Sequence, residues 1–129
     1  MWFFCNEPLD EIPDKAIGFV YCITNKASNK KYIGKKLFHS SKFIQRNKKR
    51  KRVKVESNWK EYYGSCPELK EDIDKFGREN FSRTILSLHK TKGKTNFGET
   101  SQLFKHDVLT ESLDNGEPAF YNSNILGRF

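Results

Sequence analysis

The sequence predicts an α/β fold: a small three-stranded antiparallel sheet flanked by helices. Two short stretches near the N-terminus are rich in β-branched and aromatic residues, which favours strands. A third strand is expected at 80–88, in NFSRTILSL, between two stretches whose apolar residues recur at helical spacing. A chain of 129 residues fits one domain with a single core. We therefore predict one sheet with helices packed on it.

The N-terminal segment, residues 1–16, is expected to be a leader that packs on the domain formed by residues 17–129. Aromatic side chains near its start offer apolar contacts to that domain. Two prolines within the leader are expected to prevent regular structure. The chain as a whole is thus interpreted as a single domain that carries an irregular N-terminal segment.

The first two strands are predicted to form a β-hairpin. IGFVYCIT at 17–24 and KYIGKKLF at 31–38 are joined by a polar turn that contains Asn and Ser. Alternation along the first strand assigns its side chains to two faces of the sheet. One face carries Phe19, Tyr21 and Ile23, and the other carries Val20 and Cys22.

A basic run, HSSKFIQRNKKRKRVKVE, occupies residues 39–56. Eight Lys or Arg and no acidic residue lie between Lys42 and Lys54. The run has no apolar periodicity, so we expect a loop with a short helix at its start. Its charge fits a nucleic-acid clamp, a nuclear-localisation-like patch or a solubilising loop.

The remaining chain is predicted to be mainly helical. A helical turn is expected within Ser57–Gly64, and an amphipathic helix in ELKEDIDKFG at 68–77. KTKGKTN at 90–96 is assigned to a loop, and ETSQLFKHDVLTES at 99–112 to a second helix. The tail from 119 to 129 is expected to be irregular.

Composition restricts the class of protein. The formal net charge of +8 favours a polyanionic partner, above all nucleic acid. The three cysteines show neither a disulfide framework nor the close pairing of a zinc site. The N-terminus does not resemble a signal peptide, and no apolar run approaches the ~20 residues that span a bilayer. We expect a soluble intracellular protein with no membrane partner.

The paired segments of the first hairpin resemble a known signature. Gly18-Phe19-Val20-Tyr21 followed by Tyr32-Ile33-Gly34 is similar to the signature of GIY-YIG nucleases, with Phe-Val in place of one Ile. The downstream KFGRENFSRTIL, Glu99 and Tyr121-Asn122 resemble later family segments in the same order. The resemblance covers about residues 17–125. It looks closest to compact phage-encoded, homing-endonuclease-like members that carry YIGKK and a Trp-Lys-x-Tyr-Tyr-Gly-Ser segment.

This resemblance implies a Mg²⁺- or Mn²⁺-dependent DNA endonuclease. Glu99 would bind the metal ion, since hard divalent ions prefer carboxylate oxygens. Tyr21 would deprotonate or orient the attacking water, and Tyr32 would position the phosphate. A phenol has an unperturbed pKa near ~10, so a base role requires cations such as Lys35 and Lys36 to lower it. Asn122 would fix the Glu99 side chain or the backbone near the metal ion.

One departure from the family concerns an arginine that contacts the scissile phosphate. The family places it on a helix after the second signature segment, at a position that falls on Lys42 here. Either Arg46 takes this role through a small shift, or Lys36 and Lys42 substitute. We assign the role to Arg46 and Lys36. His39 is a further candidate for a phosphate contact.

The partner implied by the resemblance is double-stranded DNA, bound mainly through phosphates. The candidate nucleic-acid-binding residues are Lys35, His39, Lys42, Lys48, Lys49, Arg50, Lys51, Arg52 and Lys54. Sequence specificity is expected to be modest, or to come from a homodimer or a partner protein. A phage-encoded member would act in the cytoplasm of a bacterial host. The alternatives are a catalytically degenerate nucleic-acid-binding protein and, from basicity alone, a small RNA-binding protein.

Overall fold

The computed structural model describes residues 1–125, which contain a mixed five-stranded sheet, a separate two-stranded hairpin and two α-helices. The sheet strands are β1 (Trp2–Phe4), β2 (Glu7–Leu9), β3 (Gly18–Asn25), β4 (Lys31–Leu37) and β7 (Phe81–His89). The hairpin strands are β5 (His39–Arg46) and β6 (Lys49–Glu56), and the helices are α1 (Pro67–Phe76) and α2 (Lys92–Lys105). Within the described part of the chain, no helix is long and apolar enough to cross a membrane.

The centre of the sheet is the predicted three-stranded antiparallel unit. β3 pairs with β4 on one side and with β7 on the other, in the order β2-β1-β7-β3-β4. The prediction of three strands in all was wrong, because the N-terminal segment adds β1 parallel to β7 and β2 antiparallel to β1. The expectation that prolines keep this segment irregular was also wrong. Pro8 lies in the edge strand β2, which tolerates proline because the missing backbone N–H is not needed for pairing with β1.

The sheet separates two apolar clusters, and the predicted faces of β3 are confirmed. Phe19, Tyr21 and Ile23 pack with Trp59 and with α1 on one side. Val20 and Cys22 lie on the opposite side, among apolar side chains of α2 and the C-terminal tail. We call these the α1 side and the α2 side. Because side chains alternate along a strand, neighbouring residues of β4 also face opposite sides.

The basic run is a β-hairpin, so the loop assigned to it was wrong. Its strands pair in continuous register from His39 opposite Glu56 to Arg46 opposite Lys49. Asn47 and Lys48 connect them with φ angles of 53° and 60°, the left-handed geometry that suits the twist of a tight hairpin. The apolar/polar alternation that normally reveals strands is confined to Val53 and Val55, because neither face of the hairpin is fully buried.

Helix α2 begins earlier than predicted and ends earlier. Thr91 caps it by accepting a 3.0 Å hydrogen bond from the backbone N–H of Lys94, so most of the predicted loop at 90–96 is helical. The helix stops at Lys105, and Val108 reaches the apolar cluster from beyond its end. Glu99 therefore lies in the middle of the helix. The predicted helix α1 is confirmed, and Trp59–Glu61 forms the expected helical turn.

Gly34 is required by the packing of the buried Tyr21 ring. The two residues are directly opposite in the β3–β4 register, and a Cβ at position 34 would overlap the Tyr21 hydroxyl. We expect Gly34→Ala to lower the free energy of unfolding by about 1–3 kcal/mol, as overpacking of a core does. Denaturant unfolding followed by tryptophan fluorescence measures this change.

The matched control is Gly93→Ala in α2, where an added Cβ meets no atom within 4 Å. That variant should be neutral or stabilised by up to about 1 kcal/mol, since Ala is a better helix former than Gly. Equal stability of Gly34→Ala and the parent protein would contradict the packing argument.

Candidate active site

Tyr21 is buried on the α1 side, with 1% of its surface exposed. Its ring lies 6.2 Å from that of Tyr32 and 6.0 Å from that of Tyr62, measured between centroids. A hydrogen bond links the side chains of Tyr21 and Tyr62. The first signature tyrosine is therefore connected to a phenol supplied by the segment before α1.

Tyr32 is half-buried on the same side and forms a side-chain hydrogen bond with Ser65. Gly64 has a φ of +86°, a backbone conformation that residues other than glycine rarely adopt. A Cβ at this position would lie 3.4 Å from atoms of both Tyr21 and Tyr32. The Tyr-Tyr-Gly-Ser segment thus closes over both signature tyrosines.

Arg83 on β7 fixes the segment that carries Tyr62. It is 4% exposed, and its guanidinium donates hydrogen bonds of 3.0 Å and 2.8 Å to the carbonyl oxygens of Lys60 and Tyr62. The same guanidinium stacks on the rings of Trp2 and Tyr63, 4.5 Å and 4.2 Å from their centroids. A buried arginine therefore holds the backbone on which Tyr62 depends.

The pKa values of both signature phenols shift upward. Burial raises the pKa of Tyr21 well above its usual value, and the neighbouring Tyr62 and Tyr32 raise it further. Burial also raises the pKa of Tyr32. The proposed lowering by cations is not found: Lys35 donates to Asn96 Oδ1, and the Lys36 ammonium lies 4.3 Å above the Tyr62 ring. Both phenols are thus hydrogen-bond donors at neutral pH.

Glu99 lies on α2, half-buried on the other side of the sheet edge. Burial raises the pKa of its carboxyl, and the nearby Lys35 ammonium opposes this shift. The carboxylate in turn makes a small contribution to the raised pKa values of Tyr21 and Tyr32, after burial and their phenol neighbours. The carboxylate and both phenols therefore flank the edge strand β4 within electrostatic reach of one another.

Asn122 fixes the backbone of this edge strand. Its side-chain amide accepts a 3.0 Å hydrogen bond from the Ile33 N–H and donates one of 2.8 Å to the Ile33 carbonyl. The tail also exchanges backbone hydrogen bonds with Lys31. Asn122 thus holds the strand between Tyr32 and Gly34, and no hydrogen bond joins it to Glu99 among the described residues.

An open cleft of about 580 Å³ adjoins these groups. It is shared by the end of β4, the base of the hairpin and the start of α2. Its lining residues with charged or hydrogen-bonding side chains are Lys35, Lys36, His39, Ser40, Ser41, Arg52, Ser57, Tyr62, Lys92 and Asn96. Nδ1 of His39 is buried and has no hydrogen-bond partner in the described structure. The cleft is therefore suited to an anion that also accepts hydrogen bonds.

Some of the sequence-predicted residues line the cleft and others do not; Tyr21, Tyr32, Glu99 and Asn122 are not among its lining residues. Lys35, Lys36 and His39 line it, as does Arg52. Arg46 pairs with Lys49 beside the turn, about 24 Å along the strand from His39, so it lies at the tip of the hairpin and does not line the cleft. The other predicted nucleic-acid-binding residues are distributed along the hairpin: Lys42, Lys48, Lys49, Arg50, Lys51 and Lys54.

Sequence reasoning did not identify Lys92 and Asn96 as contributors to the cleft, and it did not separate Arg52 from the other predicted nucleic-acid-binding residues. Lys92 and Asn96 were assigned to a loop, because two glycines concealed the start of α2. Arg52 was one basic residue among eight, and only the hairpin register brings it to the cleft. A threonine cap before Lys92 was the one local signal that could have revealed the helix start.

Comparisons with known proteins show the family of this chain. A family model described as "Putative endonuclease segE, GIY-YIG domain" matches residues 2–125. A curated relative, "Putative endonuclease segE" of Enterobacteria phage T4, is 33% identical over 95 residues, which is 74% of this chain. The chain spans about a third of that relative, 35% of its length. No solved structure matches. The chain belongs to the GIY-YIG family represented by the phage segE endonuclease domain.

Proposed function

We propose that this protein is a metal-dependent endonuclease that hydrolyses phosphodiester bonds in double-stranded DNA. The observation that carries the proposal is the position of Glu99, Tyr21 and Tyr32 around one strand edge, beside a cationic cleft. The phage relative described as an endonuclease supports this class of reaction. The net charge of +8 supports a nucleic-acid substrate.

The donor set suits one type of metal ion. The described residues contain no group of three or more His, Cys, Asp or Glu side chains that could hold a metal ion, so a fully protein-coordinated site does not fit them. Mg²⁺ is commonly bound by one or two carboxylates together with water and substrate phosphate. Glu99 fits this mode, because its carboxylate is partly desolvated and a cation would stabilise its charge. When bound, Mg²⁺ or Mn²⁺ would neutralise charge that develops on the phosphoryl group.

The phenols act as donors rather than as bases. Tyr62 lines the cleft and is hydrogen-bonded to Tyr21, so the buried Tyr21 orients the Tyr62 hydroxyl. Tyr32, held through Ser65, presents a second hydroxyl on the same side. Protonated phenols at these positions orient the attacking water and a phosphoryl oxygen by hydrogen bonds, and each keeps its own proton at Oη.

The cations of the cleft neutralise the scissile phosphate. Arg52 replaces the family's helical arginine, since its guanidinium offers the two-pronged geometry that matches a phosphate. Lys36 on β4 and Lys92 on α2 add point charges to the same cleft. Burial lowers the pKa of Lys36, which makes its ammonium a readier proton donor to the leaving 3′-oxygen.

The biological setting follows from the same proposal. The protein acts on DNA in the cytoplasm of a bacterial host infected by a phage. Its sequence specificity is modest, unless a second copy or a partner protein contributes. Asn122 holds the Ile33 backbone of β4 by two hydrogen bonds and so supports the positions of Tyr32 and Gly34.

Glu99→Gln should lower DNA cleavage by at least about 100-fold, because the site loses the carboxylate that would hold the metal ion. Plasmid nicking and linearisation in Mg²⁺, in Mn²⁺ and in a chelator measure this effect. The control is Glu71→Gln, an exposed glutamate on α1, which should cleave like the parent protein.

Undiminished cleavage by Glu99→Gln, or by the parent protein in a chelator, would remove the metal site from the mechanism. Salt-sensitive DNA binding by the parent protein without cleavage in either metal would identify a degenerate binding protein instead.

Glu99→Gln should also make the protein more stable at neutral pH, because the pKa of the buried carboxyl is raised. A carboxyl with a higher pKa in the folded than in the unfolded state favours folding when protonated. The parent protein therefore loses stability relative to the variant as pH rises from about 4.3, the ordinary pKa of Glu, through the raised folded-state value.

Denaturant unfolding at a series of pH values measures the gap in free energy of unfolding between the variant and the parent protein. Mg²⁺ should narrow it at neutral pH by stabilising the parent protein alone. A variant that is less stable than the parent at pH 7, or a gap that does not respond to Mg²⁺, would contradict the assignment.

A further inference from the structure

The basic hairpin stands largely apart from the rest of the molecule. Strands β5 and β6 pair with each other and with no strand of the main sheet. They join the domain at their base, where Ser57 donates a 2.7 Å hydrogen bond from its hydroxyl to the Leu37 carbonyl. Eight residues of antiparallel strand extend about 27 Å. The hairpin is therefore an exposed two-stranded ribbon about as long as eight base pairs of B-DNA.

The register divides the ribbon into two faces. Residues opposite each other in an antiparallel pair share a face, and the next pair along faces the other way. The cleft face carries His39, Ser41, Phe43, Gln45, Arg50, Arg52, Lys54 and Glu56. The outer face carries Ser40, Lys42, Ile44, Arg46, Lys49, Lys51, Val53 and Val55.

The cleft face continues directly from the candidate active site. Three of the four hairpin residues that line the cleft with Lys36 lie on this face, namely His39, Ser41 and Arg52, while Ser40 lies on the outer face at the base of the hairpin. A duplex whose phosphate lies in the cleft therefore extends along the cleft face toward the tip of the ribbon.

The outer half of the cleft face has side chains suited to base edges. Gln45 and Arg50 are directly opposite each other, and the Arg50 guanidinium stacks 4.3 Å above the ring of Phe43. This stack orients the guanidinium while Arg50 remains exposed. In a major groove, Arg pairs with guanine O6 and N7, Gln with adenine N6 and N7, and an apolar ring contacts the thymine methyl group.

We propose that the hairpin enters the DNA major groove and that Arg50 and Gln45 select the sequence next to the cleavage site. This inference rests on the proposed function, because the cleft must hold a DNA phosphate. The major groove of B-DNA is about 12 Å wide and admits a two-stranded ribbon, whereas the deep, narrow major groove of RNA does not. Lysines of the outer face and the turn then contact the flanking phosphates.

A simple electrostatic clamp explains this surface less well. Contact with phosphates requires only mobile charges, which lysines supply on the outer face. On the cleft face, an uncharged Gln45 lies beside an arginine that is ordered on an aromatic ring, and Phe43 is 53% exposed. These features add little to phosphate binding, but they fit contact with bases.

The test selects bound duplexes from a pool of randomised DNA, with a chelator present so that binding is measured without cleavage. Dimethyl sulfate then maps the selected duplexes, because it modifies guanine N7 in the major groove and adenine N3 in the minor groove. The parent protein should enrich a short motif that contains guanine and protect that guanine at N7. Duplex RNA of the same sequence should bind at least 10-fold more weakly.

Two variants at adjacent positions separate base contact from phosphate contact. Arg50→Lys keeps the charge but loses the two-pronged guanidinium that pairs with guanine. Its preference for the guanine should fall by about 10-fold, while its affinity for random DNA stays the same. Lys51→Ala, on the outer face, should weaken binding to all sequences equally and leave the motif unchanged. The slope of log affinity against log salt concentration should fall by about one, since one phosphate contact is lost.

Three results would overturn the inference: no enriched motif, protection at adenine N3 alone, or an Arg50→Lys motif identical to that of the parent. A parallel cleavage assay in Mg²⁺ separates this outcome from the proposed function. Selection without cleavage supports the groove contact and contradicts the nuclease. Cleavage without selection supports the nuclease and contradicts the groove contact.

Discussion

The pairing of Tyr21 with Gly34 across β3 and β4 is the contact on which the rest of the site depends. A phenol ring can lie flat over a neighbouring strand only if that strand has no side chain at the opposite position. The space so created is closed by Gly64 and filled by the rings of Tyr32 and Tyr62. Two glycines thus allow three phenols to meet, and the phenols reach the cleft through Tyr62 alone among the lining residues.

Burying the charged groups of the site costs free energy, and this cost favours the binding of oppositely charged partners. Glu99 has a pKa raised by burial, and Lys36 has one lowered by burial, so each carries its charge at a penalty that a bound partner would remove. Arg83 is buried as well, but its guanidinium donates to two carbonyls and stacks on two aromatic rings, and its Nε has no hydrogen-bond partner among the described residues. Arg83 therefore has more polar and aromatic partners than Lys36, whose ammonium contacts the Tyr62 ring. Incomplete partnering is what leaves a site able to bind cations and phosphates.

The sequence predicted the elements whose signals are local. The signature hairpin and α1 follow from alternation, turn residues and helical spacing that a single stretch of chain reveals. β1 was missed because its strand character comes from parallel pairing with β7, 81 residues away. The position of Arg52 in the cleft follows from the register of β5 and β6, and that of Lys92 from a helix cap followed by two glycines. Apart from the threonine cap before Lys92, nothing in the local sequence separates these two cations from their neighbours.

The hairpin shows why a stretch that resembles a loop can still be a strand pair. Arg46 and Lys49 are directly opposite, and like charges at such positions oppose pairing. Two strands without a buried face are marginal on their own. The left-handed turn at Asn47 and Lys48 and the stacking of Arg50 on Phe43 oppose that repulsion. The partial burial of the apolar side chains on the outer face opposes it as well. An anion lying along the ribbon would relieve it further. The like charges that destabilise the free hairpin would therefore stabilise its complex with a polyanion. Binding of a polyanion in the cleft and ordering of the hairpin would then favour each other.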